Sequence, residues 1–166
     1  MFYIIVIFAA IFAMPAKADE TLKFRAVQHG TSVQTLKVDA NGHTLGLGRT
    51  VGMLFSPDGS VAGTVLIIGT NDTVIGSEGT VSGYSIPTFT DGSELWLKYT
   101  GTAKFIGGPT GKLAIKGTFI VTGGKGRYAG ATGDGTWEGE ATQAVAVASQ
   151  PSESITYVDN VINIKK

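Results

Sequence analysis

The sequence predicts an all-β fold, a meander of antiparallel strands closed into a barrel or folded into a sandwich. Short runs rich in Val, Ile, Thr, Phe and Tyr recur along the chain beyond residue 18. Turn signals separate them at Asn41-Gly42, Pro57-Asp58-Gly59, Asp91-Gly92 and Gly107-Gly108-Pro109. No window keeps apolar residues at helical spacing, because the 24 glycines interrupt every candidate. One composition runs throughout, so residues 19–166 are expected as a single domain long enough to bury a core.

The first element is not part of that domain. An apolar run from Phe2 to Met14 is followed by Pro15 and the small-x-small triplet Ala16-Lys17-Ala18, without Lys or Arg ahead of it. This pattern predicts a secretory signal cleaved after Ala18 and an exported protein, periplasmic or secreted. The run is shorter than the roughly 20 residues that span a bilayer, so no membrane span is expected in the mature form.

Alternation then sets the strand faces, since successive side chains point to opposite sides. In 46–55, GLGRTVGMLF, the row Leu47, Val51, Met53 and Phe55 also carries Arg49. The run 61–69, VAGTVLIIG, is apolar on both faces, which predicts a strand covered from outside as well as inside and hints at a subunit contact. In 78–86, Glu78, Thr80, Ser82 and Tyr84 share a face. In 94–105, Leu95, Leu97, Tyr99 and Phe105 form a dry face opposite Glu94, Trp96, Lys98, Thr100, Thr102 and Lys104. The run 132–142 places Gly133, Gly135, Trp137, Gly139 and Ala141 on one side, and small residues there let a sheet bend as tight barrels must. The ending NVINIKK reads as a last strand with solvated lysines.

Charge and residue inventory exclude several functions. Taking Lys17 from the 13 Lys and Arg leaves 12 against 13 Asp and Glu, so the mature domain is nearly neutral and offers no cluster for nucleic acid. There is no cysteine, and His29 and His43 read as surface residues, so no metal is expected. Asn71-Asp72-Thr73 is a lone glycosylation sequon.

The glycine-dense stretch 118–137, TFIVTGGKGRYAGATGDGTW, invites a phosphate-loop reading. Gly124 to Ala129 satisfies G-x-G-x-x-A, but no helix can start there to bring its amide dipole to a pyrophosphate. Residues 107–112, GGPTGK, lack both the first glycine of a nucleotide loop, where Ile106 stands, and the magnesium-holding hydroxyl, where Leu113 stands. The turn reading fits instead, with Gly123, Gly124 and Gly126 reversing the chain and Tyr128 and Trp137 anchoring it.

The segment FIVTGGKGRYAGATG resembles the TGG-x-G-x-[FY]-x-GA-x-G segment of plant allene oxide cyclases and, more loosely, the GG-x-G-x-F-x-x-A-x-G of dirigent proteins. The likeness is close over 118–133 and looser over about 45–145, and closer still to small exported bacterial proteins of that superfamily. It implies a single antiparallel barrel of about eight strands with a ligand-sized interior, often trimeric and using no cofactor. The family's catalytic residues lie largely in an N-terminal stretch for which DETLKFRAVQHGTSVQTLKVDANG offers no counterpart, so no catalytic residue is carried over.

Polar groups on otherwise apolar faces are the candidates for a ligand-binding interior, because their burial is costly without a partner. Arg49 either holds a carboxylate or carbonyl there or reaches solvent from a strand end. Tyr99 either donates a hydrogen bond to a ligand or is core with its hydroxyl tied to backbone. Glu78 and Tyr84 fit a polar cavity wall or plain solvent. The preferred expectation is a barrel that binds a small apolar molecule, or a protein partner, without catalysis. The alternatives are a cofactor-free cyclase or isomerase and a structural envelope protein with a filled interior.

Overall fold

The computed structural model describes residues 19–74, 76–107, 112–141 and 155–165; the expected signal, residues 1–18, lies outside them. The chain is a closed barrel of eight antiparallel strands. They are β1 (Glu20–Lys37), β2 (His43–Phe55), β3 (Val61–Val74), β4 (Glu78–Phe89), β5 (Glu94–Ile106), β6 (Lys112–Lys125), β7 (Thr132–Ala141) and β8 (Ile155–Lys165). Each pairs with its neighbour in sequence, and β1 closes the circle against β8 from Glu20↔Ile164 to His29↔Ile155. Closure leaves no open sheet edge, which removes the row of unpaired amides through which open sheets aggregate.

The turns at Asn41-Gly42, Pro57-Asp58-Gly59 and Asp91-Gly92 are where the sequence placed them, and aspartates hold several; the turn expected at Gly107-Gly108-Pro109 runs outside the described residues. Asp58 Oδ1 accepts the Ser60 amide at 3.0 Å and hydroxyl at 2.8 Å, and Asp91 Oδ1 accepts the Ser93 amide at 2.9 Å. These backbone hydrogen bonds are the main reason both carboxyls are held below their usual range. The sequon does not sit in a loop: Asn71 lies within β3, facing inward, and its Nδ2 donates to Thr73 Oγ1 at 3.3 Å. Both histidines are strand residues, His29 exposed on β1 and His43 the first residue of β2.

One end of the barrel is packed with side chains. Leu54, Leu95, Leu97, Tyr128, Ile162 and Ile164 are fully buried there. Phe24 meets Phe89 edge-on at 6.3 Å, and Phe89 meets Tyr128 at 5.2 Å. The glycine-dense stretch makes this end. After β6 the chain makes one 3₁₀ turn, Gly126–Tyr128, in which Gly126 takes φ 65°, a region that strains other residues. That turn drops Tyr128 into the barrel, and the Arg127 guanidinium lies 4.7 Å and 5.0 Å from the Tyr128 and Phe89 ring centres. The segment therefore serves as corner and plug, as its turn reading required.

The face assignments hold for β5, where Leu95, Leu97, Ala103 and Phe105 are buried, and for β7, where Gly135, Trp137 and Ala141 are. On β2 the parity is the reverse of what hydrophobicity suggested. Thr44, Gly48 and Thr50 face inward, while Leu45, Leu47 and Met53 are exposed. The inner wall of this strand is built of small residues because large side chains from other strands need the space. Asn71 lies over Gly46, and on the next strand the Tyr99 hydroxyl lies against Gly69.

Candidate functional site

Among the described residues, the other end of the barrel is not filled. A cavity of about 220 Å³ extends from the middle of the barrel toward the end where β1, β3, β5 and β7 finish. Its walls are mostly apolar, with Phe24, Val65, Ile67, Ile115, Phe119 and Val158 among the lining residues. An aromatic corner stands on one side: Tyr99 meets Trp137 edge-on at 5.9 Å, and Phe119 lies 6.3 Å from Trp137. Gly101 and Gly117 form the seat of the Trp137 ring, since a Cβ on either would approach its Cζ2 to 2.5 Å. The indole then donates Nε1–H to the Thr118 carbonyl at 3.3 Å.

Polar groups also enter this wall. Thr44 Oγ1 donates to the Thr73 carbonyl at 3.3 Å. Asn160 Nδ2 donates to the Val158 carbonyl at 2.9 Å and the Phe24 carbonyl at 3.4 Å. Gln28 is buried in the row Phe24, Ala26, Gln28 on the inner face of β1, and its Oε1 has no hydrogen-bond partner among the described residues. Burial pushes the Tyr99 phenol up to about 12, so it is a neutral hydroxyl at any physiological pH. None of the described lining residues carries a charge. No cluster of His, Cys, Asp and Glu able to hold a metal exists among the described residues.

Of the four residues singled out from sequence, only Tyr99 lines the cavity. Arg49 and Tyr84 are brought together on the outer wall, flanking Ile68 through the pairs Arg49↔Ile68 and Ile68↔Tyr84. Arg49 donates from Nη1 to Thr31 Oγ1 at 3.2 Å, and Thr31 is the extra residue of a bulge between Gly30 and Ser32. Glu78 is exposed at the start of β4, paired across the sheet with Lys104. The apolar row around Arg49 that suggested an interior face is an outer one. Leu45, Leu47, Met53, Ile68 and Tyr84 make an exposed apolar surface over β2 to β4, including the strand expected to be covered on both sides. Gln28, Asn71, Ser85 and Asn160 line the cavity and were not singled out. The signal was present for two of them: Gln28 continues the two-residue spacing of Phe24 and Ala26, and Asn160 falls between Val158 and Ile162.

A titratable group lies near the cavity end, outside the wall. His43 Nε2 is 2.5 Å from Asp72 Oδ1, and Nδ1 is 3.6 Å from Asp39 Oδ2. The hydrogen bond to Asp72 is the main cause that raises this imidazole above 6.5. A raised pKa means the protonated form is favoured by folding. Its stabilisation is fully present below about pH 6.5 and is lost as pH rises through the folded value. Titration of the His43 ring by NMR is expected to give a midpoint above 6.5 that falls toward it in Asp72→Asn; an unchanged midpoint in that variant would remove the pair.

No protein-family model matches the chain, and no curated protein matches it. A solved structure of a pterocarpan synthase dirigent protein is similar over 90% of this chain and 92% of its own, with 16% identity and a TM-score of 0.48. A likeness at that level assigns no role to any residue of this chain.

Proposed function

We propose that the chain is an exported β-barrel that takes a small, largely apolar molecule into its interior and releases it unchanged. The observation that supports this best is the cavity of about 220 Å³ with predominantly apolar walls, in a barrel whose other end is packed solid. Cavities of that character are where proteins desolvate apolar ligands, and a purely structural small barrel fills its interior with side chains. A cofactor-free cyclase or isomerase is the competing reading. It is less well supported because the described residues of the lining include no carboxylate, imidazole or cation to move a proton, and the Tyr99 phenol, pushed up to about 12, is a hydrogen-bond donor and not a base.

A second association is favoured by the outer apolar surface over β2 to β4. Exposed apolar area of that kind on adjacent strands fits contact between copies of the chain, with Ile68 at its centre between Arg49 and Tyr84.

Native mass spectrometry of the protein purified from its own host tests these readings together. The expected spectrum shows an oligomer whose subunit mass begins at Asp19 and a bound small molecule that leaves on denaturation. An apo mass would count against a tight binder, and a subunit retaining residues 1–18 would remove the export reading. The variant Ile68→Glu is expected to shift the oligomer to monomer, while an oligomer of unchanged mass would place the contact elsewhere.

A further inference from the structure

We infer that the cavity selects an uncharged ligand carrying a hydroxyl or amide N–H, and that Gln28 Oε1 is the acceptor that receives this donor. The inference deepens the interior-binding reading and rests on it. Gln28 is only 8% exposed, lines the cavity, and has an Oε1 without a hydrogen-bond partner among the described residues. A buried acceptor left unmet forfeits its hydration, and native proteins seldom tolerate this away from a functional site.

Two other polar side chains of the wall, Asn160 and Thr44, spend hydrogen bonds on the protein itself. Asn160, on the adjoining strand, donates to the Phe24 and Val158 carbonyls, and Thr44 donates to Thr73. These groups fasten neighbouring strands to one another. Gln28 has no such bond at Oε1, so the acceptor is left for something that enters the barrel.

The charge of the ligand follows from what the wall lacks. Among the described residues no lysine, arginine, histidine or carboxylate lines the cavity, and Arg49, Lys98 and Lys104 stand on outward-facing positions. A carboxylate drawn into this interior would be desolvated without a counter-charge, which costs far more than an alcohol making one hydrogen bond. The apolar body of the ligand packs against the walls, with Phe119 and Trp137 offering an aromatic face.

The test compares three probes that share one ring system: 2-naphthol, which donates; 2-methoxynaphthalene, which only accepts; and 2-naphthoate, which is charged. Equilibrium dialysis of the mature protein at neutral pH reads each dissociation constant. Binding of 2-naphthol is expected to be at least about tenfold tighter than 2-methoxynaphthalene and about a hundredfold tighter than 2-naphthoate. In Gln28→Leu the naphthol preference over the methoxy probe falls to within about twofold, because the acceptor is gone. The probe comparison on the wild-type protein stands even if that variant fails to fold. Equal binding of the donor and acceptor probes, strong binding of 2-naphthoate, or a preference that survives Gln28→Leu would overturn the inference and leave interior binding intact. Failure of all three probes to bind would overturn the interior-binding reading and this inference with it.

Discussion

Gly48→Phe is expected to empty the interior of ligand while leaving the barrel folded. Gly48 faces the cavity from β2, and a Cβ built on it meets only Ser32 O at 3.6 Å and Val33 Cγ2 at 3.8 Å, ordinary van der Waals distances. Its backbone is not in the left-handed region that favours glycine, so a side chain is admitted without strain. A benzyl group there occupies space that a ligand needs. The loss of 2-naphthol binding is expected to be on the order of 100-fold, about 2.7 kcal/mol. The midpoint of thermal unfolding should move by only a few degrees, since the added Cβ meets its neighbours at ordinary distances and the ring points into the cavity. The neighbouring substitution Leu47→Phe, on the outer face, is the control and should leave binding unchanged. Undiminished binding in Gly48→Phe would place the ligand outside the barrel. The position matters: at Gly69 the same substitution would strike the Tyr99 hydroxyl and the Ser82 carbonyl, and stability would fall with binding.

Tyr128→Ala is expected to destabilise the protein more than any change at the cavity. Tyr128 is fully buried, packs its ring 5.2 Å from Phe89, and is covered by the Arg127 guanidinium. Truncating a buried aromatic to alanine costs about 3–5 kcal/mol, because the transfer energy is lost and the cavity left behind only partly collapses. For a domain of this size that lowers the unfolding midpoint by roughly 6–20 °C. Calorimetry of Tyr128→Ala beside Tyr128→Phe separates ring from hydroxyl. The phenylalanine variant should retain most of the stability. A cost below about 1 kcal/mol for the alanine variant would show that the glycine-dense corner is not an anchor.

These two sites also mark where the sequence was legible. The corner at 123–130 was readable because its chemistry is local: glycines at successive reversals, a large aromatic between them, and no residue pattern able to sustain a helix. The same holds for β5 and β7, whose alternation of large apolar or small residues with charged ones assigns each face without knowledge of any neighbour. On β2 this logic points the wrong way. Leu45, Leu47 and Met53 are the most apolar side chains of the strand, yet they stand outside, and the inner wall is Thr44, Gly48 and Thr50. A rule that sends the hydrophobic row inward presumes a filled interior and a solvated outside. Here the inside is partly empty and the outside is itself apolar, so the apolar row that carries Arg49 stands outside.

Near neutrality and the absence of cysteine follow from composition, and the all-β meander, its turns and the aromatic-anchored glycine corner follow from residues within a few positions of one another, where backbone preference and alternation act. The position of the cavity depends on residues distant in the chain. Gln28 from β1, Tyr99 from β5, Trp137 from β7 and Asn160 from β8 become lining residues of one chamber only when β8 closes against β1. Closure determines which side of each strand is inside and which large side chains lean across which glycines. The space they leave is a property of the closed barrel, because it depends on packing between strands that no single strand encodes.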